Sequence, residues 1–85
     1  MKVLMQESKE EGFIALMGKR VTLFCAVYIY TGKLVGVNET CVKLENPAIV
    51  YETGPFTDKK WKDAQELPNT IYVQTAMVES FGEVK

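Results

Sequence analysis

Val21-Thr22-Leu23-Phe24-Cys25-Ala26-Val27-Tyr28-Ile29-Tyr30-Thr31-Gly32-Lys33-Leu34-Val35-Gly36-Val37 is the stretch that decides the fold. It is rich in β-branched and aromatic residues, the types that suit a pleated strand. Val21, Leu23 and Cys25 alternate with Thr22, Phe24 and Ala26, so both faces are partly apolar. That pattern fits a small barrel better than an open sheet with one wet face. Gly32 and Gly36 interrupt the run. A glycine inside a strand marks a bend or a close backbone approach.

Downstream, Asn38-Glu39-Thr40 reads as a turn. Cys41-Val42-Lys43-Leu44-Glu45 then resumes as a strand, with Val42 and Leu44 on one face and Lys43 and Glu45 on the other. Asn46-Pro47 predicts a bend or bulge, because proline cannot donate to a ladder. Ala48 to Tyr51 returns to the extended pattern, and Gly54-Pro55 ends it. Residues 69–81 read as one or two final strands.

Upstream, Ser8-Lys9-Glu10-Glu11 has the spacing of a capping box. Phe13, Ile14, Leu16 and Met17 follow at helical spacing, and Gly18 is a natural stop. The spacing predicts a short amphipathic helix over residues 8–17, too short to stand alone. A second helical segment is expected over residues 57–67. Asp58 with Lys62, Lys59 with Asp63, and Lys62 with Glu66 each place opposite charges four residues apart, and Pro68 would end the helix.

The sequence therefore predicts one domain, residues 1–85. It is a small all-β barrel, strongly bent and five-stranded, over about 20–54 and 69–82. It carries a short N-terminal helix and a helical insertion before the last strands.

Composition narrows the chemistry. The chain has 85 residues, of which 47% are hydrophobic and 25% charged, so it can bury a compact core. Ten Lys and Arg oppose eleven Asp and Glu, a net charge of -1, which excludes a strongly basic nucleic-acid binder. There is no histidine, which removes Ser-His and Cys-His nucleophile pairs and imidazole metal sites. Two cysteines cannot complete a four-ligand zinc site. One disulfide is open to them, but the expectation is two buried, reduced thiols. The opening Met1-Lys2-Val3-Leu4-Met5 is too short for a signal h-region. No run approaches a membrane span. A cytoplasmic protein without enzyme activity, cofactor or metal is expected.

Two features invite a binding role. Lys59-Lys60-Trp61-Lys62 sets cations around a ring, as in single-strand binders, yet residues 58–66 carry three lysines against two Asp and one Glu. Trp61 is either an anchor of the insertion or a stacking residue. Tyr28, Tyr30, Tyr51 and Tyr72 have the same two readings, core or interface against base stacking.

Tyr30, Gly32, Leu34, Val37 and Asn38 together resemble the first motif of the Sm-like (LSm and Hfq-like) family. Ile71 to Met77 is similar to its second motif. The resemblance covers residues 8–81 and implies a bent five-stranded barrel capped by a helix. It also implies a homo-oligomeric ring, in which the fourth strand of one copy pairs with the fifth of the next. RNA bases would bind near the turns of neighbouring subunits. Carried over residue by residue, Asn38, Thr40, Gln74 and Thr75 are the polar groups facing the pore, with Tyr30 or Trp61 as stackers.

The departures are specific. Asn38 stands where the family has Asp. The base-contact amide falls on Cys41 or Val42. Gln74-Thr75 replaces the family's cation. The expected partners are thus further copies of the chain and single-stranded RNA. The alternative is a protein-interaction ring without RNA.

Overall fold

A computed structural model of the chain describes residues 4–85. The expectation for the start of the chain falls partly on residues 1–3, outside the described residues. Six strands form one antiparallel sheet: β1 Arg20–Cys25, β2 Ile29–Val37, β3 Cys41–Glu52, β4 Asp63–Glu66, β5 Ile71–Gln74 and β6 Val78–Gly82. The spatial order is β4-β3-β2-β1-β6, and β5 also pairs with β3. The all-β class stands, with one short helix. The sheet has six strands rather than five and is not closed into a barrel. The sixth strand is β4, which forms inside the segment expected to be helical, and Pro68, with no N–H to give to a ladder, separates it from β5.

β3 is the spine. From Val42 to Val50 it lies against β2, while its other edge is shared. Cys41 to Leu44 pair with β5, and Ala48 to Glu52 pair with β4. The register against β2 shifts between Thr31 and Lys33, opposite the predicted Asn46-Pro47 bulge, where Asn46 adopts φ 49°. Gly32 faces this bulge. A Cβ on it would stand 3.1 Å from the Leu44 Cβ and 3.2 Å from both the Glu45 carbonyl oxygen and the Pro47 Cα. Gly32 is therefore the close approach that its place in the strand predicted.

Both faces of the central strands are buried, as the patterning requires. Val21, Leu23, Leu34, Val42, Leu44 and Val73 form the main core. On the opposite face Thr22 is paired with Thr31, and Thr31 with Ala48, in a row across β1, β2 and β3. All three side chains are buried.

The predicted helix over 8–17 contracts to α1, Gly12–Ala15. The reason is local. Gly12 takes φ +77°, which breaks the spiral that Ser8 would have capped. The Ser8 hydroxyl accepts from the Glu10 amide at 3.1 Å, and Glu11 reaches back to the Gln6 amide at 3.0 Å. The cap itself falls to Glu7, whose carboxylate accepts from the Phe13 and Ile14 amides, each at 3.3 Å. Gly18 stops the segment as expected, at φ +83°. Only part of the foreseen apolar face is used. Phe13 is buried and stacked on Phe81, with ring centroids 3.8 Å apart, and Leu16 packs on the core. Ile14 and Met17 are exposed.

The predicted helix over 57–67 is absent. Residues 56–60 turn, and residues 63–66 are strand β4. Charge pairs four apart contribute only a few tenths of a kcal/mol each. Leaving that edge of β3 unpaired would cost more in unmade backbone hydrogen bonds. Lys62 is drawn across to Glu52 of β3 at 3.2 Å instead of along a helix.

Thr22 and Thr31 differ in one respect. The Thr31 hydroxyl donates to the Val21 carbonyl at 2.9 Å, whereas the Thr22 hydroxyl is buried with no partner among the described residues. Thr22→Val should raise stability, and Thr31→Val should lower it by about 1 kcal/mol. Urea denaturation of both variants checks the opposite signs.

Candidate nucleic-acid interface

The β2–β3 turn is built around one side chain. The Asn38 Oδ1 accepts from the Thr40 amide at 2.8 Å, the Cys41 amide at 2.9 Å and the Thr40 hydroxyl at 3.1 Å. This is an Asx turn, the conformation that Asn and Asp stabilise by imitating a backbone turn. The Thr75–Met77 turn, a single 3-10 turn after β5, docks onto it. The Thr75 amide donates to the Thr40 carbonyl at 2.9 Å, and its hydroxyl to the Glu39 carbonyl at 3.2 Å. Pairing of Cys41 with Gln74 completes the join.

Four of the six candidate residues are thus gathered at one end of the sheet. Thr40, Gln74 and Thr75 line a concavity of about 610 Å³, and Asn38 lines an adjoining recess of about 140 Å³. Cys41 and Tyr72 join the two spaces, and Tyr72 is the ring among them. It is 65% exposed, lines both, and has the Lys43 ammonium 5.7 Å from its ring centroid. The sequence reading weighed Tyr72 only as one of four tyrosines. Its signal was the strand period: Tyr72 and Gln74 share one face of β5. The sequence places Lys43 only on the strand face opposite Val42 and Leu44, and its place over a ring comes from the pairing of Lys43 with Tyr72.

Tyr30 lies apart from the turn cluster but next to it. It lines an apolar groove of about 480 Å³ with Cys25, Tyr28, Ile49 and Met77, and Tyr72 and Gln74 form the boundary with the cluster. Tyr30 is half-buried, packs against the core and meets Tyr28 edge-on at 6.2 Å. Burial, and then the neighbouring Cys25, raises its phenol pKa. Trp61 is separated from the other five. It lines cavities formed by the loop before β4, packs edge-on to Phe56 at 6.4 Å, and has the Lys85 ammonium 4.7 Å from its ring.

The two cysteines are free and half-buried rather than fully buried. Burial, and secondarily Glu79, pushes the Cys25 thiol up, so it is held protonated. Among the described residues no cluster of His, Cys, Asp and Glu is placed to hold a metal ion. Among them, too, no helix is long and apolar enough to cross a membrane. The turn cluster offers amide and hydroxyl groups, a ring face and one ammonium. Groups of these kinds are able to hydrogen-bond and stack on a planar polar molecule. No family model matches the chain, and comparison with curated proteins gives no match.

Asn38→Ala should lower stability by about 1 kcal/mol, and Asn38→Asp should retain most of it, because a carboxylate accepts the same donors. Thermal melts of the two variants measure the difference. Alkylation of Cys25 in a Cys41→Ser chain should rise with pH along a curve displaced above that of an unhindered thiol. A curve displaced downward would contradict the burial argument.

Proposed function

We propose that the chain assembles into a homo-oligomeric ring of Sm-like type and that the cluster around Tyr72 binds single-stranded RNA. The observation that carries this reading is the pair of sheet edges with no partner strand among the described residues, β6 on one side and β4 with β5 on the other. Unpaired edges of this kind are templates for another strand. A cyclic arrangement of identical copies, edge to edge, satisfies both at once. Large apolar side chains lie exposed at these edges and the connections beside them, including Met77 and Phe81. Their burial between copies would add to the ladder hydrogen bonds.

The RNA site follows from the same placement. The cluster lies against β5, so each junction between copies would present one Tyr72 face. A base stacked there would meet the Gln74 amide, and Lys43 would offer a charge to phosphate. The balance of acidic and basic residues limits this binding to low or moderate salt.

A second reading, a protein-interaction ring without RNA, has its own support. The Asn38 and Thr75 side chains are engaged within the chain, which leaves fewer polar groups to read a base.

Light scattering should give a mass that is a multiple of 9.6 kDa. A lone monomer at all concentrations would exclude both readings. Fluorescence anisotropy with short U-rich and A-rich RNA at low salt then separates them. Tyr72→Ala should weaken binding about tenfold while leaving the ring mass unchanged. A ring without RNA affinity would favour the protein-interaction reading.

A further inference from the structure

The loop from Thr53 to Trp61 holds an ammonium group. Lys85 donates to three backbone carbonyls, those of Thr53 at 2.7 Å, Pro55 at 2.9 Å and Lys60 at 3.1 Å. A lysine ammonium has three N–H donors and no acceptor, so the set is complete. Two rings wall the same point. The Trp61 centroid is 4.7 Å from the nitrogen and the Phe56 centroid 5.5 Å. Among the described residues no carboxylate pairs with Lys85. Recognition rests on neutral acceptors and ring faces alone.

Much of this cage is held by contacts that do not involve Lys85. Gly54 supplies a φ of +66°, which turns the loop. The Asp58 amide donates to the Pro55 carbonyl at 3.0 Å, and the Lys62 amide to the Thr53 carbonyl at 3.4 Å. Phe56 stands near Phe24 of β1 at 6.4 Å, and Trp61 meets Phe56 at an interplanar angle of 88°. Beside the cage is a cavity of about 490 Å³ that reaches Thr31 and Ala48 and gives an entering side chain room. The loop carries Lys59 and Lys60 against Asp58, and Asp63 and Glu66 just beyond it offset the remaining positive charge through residue 66.

We infer that the Thr53–Trp61 loop is a recognition site for an unmodified lysine side chain, and that Lys85 occupies it in cis. The geometry selects the ligand. A trimethylated ammonium keeps its attraction to the rings but brings no donors to the three carbonyls. An acetylated lysine brings no charge. A guanidinium is a planar fork and does not match three convergent acceptors. While Lys85 fills the cage, a lysine of another molecule must compete with a tethered rival at high effective concentration.

The chain has one tryptophan, so its fluorescence reports on the cage alone. In a Lys85→Met chain, n-butylammonium chloride should change Trp61 emission saturably, at a concentration at least about tenfold below that needed for the native chain. Tetramethylammonium chloride at equal ionic strength, and n-butanol, should give no saturable change. A variant that responds no better than the native chain, or responds equally to tetramethylammonium, overturns the inference. Where Lys85→Met disorders the loop, seen by limited proteolysis, recovery of protection with n-butylammonium supports the site, and failure to recover removes it. On the native chain labelled with ¹⁵N-lysine, excess n-butylammonium should shift the Lys85 Nζ resonance toward that of free lysine. No shift at any attainable concentration also overturns it.

Discussion

The structure depends on the contact between Gly32 of β2 and the bulge of β3. A strand of twelve residues cannot serve two partners on one edge unless it bends between them. The extra residue at Asn46-Pro47 supplies the bend, and Gly32 lets the neighbouring backbone come close enough to keep the sheet continuous. One half of β3 then carries β5 and the turn cluster. The other half carries β4 and the loop that ends at it. The two sites of the molecule are separated by this bend and share no lining residue.

Burial on both faces follows from the same geometry. The main core lies under Val21, Leu23 and Leu44, while the opposite face holds the row of Thr22, Thr31 and Ala48. Small residues make up that second face, and the cavity beside Lys85 reaches two of them, Thr31 and Ala48. A hydroxyl at Thr22 with no partner among the described residues is the local cost of a residue that is otherwise the right size and shape for a strand.

The strands between residues 20 and 52 were legible because their signal is redundant. β-branched residues, period-two burial, an Asn turn and two punctuating glycines all agree. The N-terminal helix was overread, because the capping box in Ser8 to Glu11 is a local pattern and Gly12 overrides it with a left-handed backbone. The segment 57–67 was misread for a related reason. Its charge spacing suits a helix, but the unfilled edge of β3 is a non-local demand that no window of sequence displays. Asn38, Thr40, Gln74 and Thr75 were gathered from two distant segments by a motif resemblance rather than by spacing. Trp61 fell elsewhere because its loop leads into β4, which pairs with the other half of β3 from the one that carries β5 and the turn cluster. The cage around Lys85 had no signal in the sequence, since its acceptors are backbone carbonyls, which every residue has.

The interruption between β4 and β5 has a consequence for how the molecule meets others of its kind. Leu67 to Thr70 divides that border into two ladders of four residues, each about 13 Å long at the usual rise per residue. They follow the two arms of a bent β3, so a straight incoming strand can zip along one and must leave at the next. Indefinite, fibril-like stacking needs a flat and continuous border. This chain presents a hooked one, which denies an ordinary filament the length of template it needs.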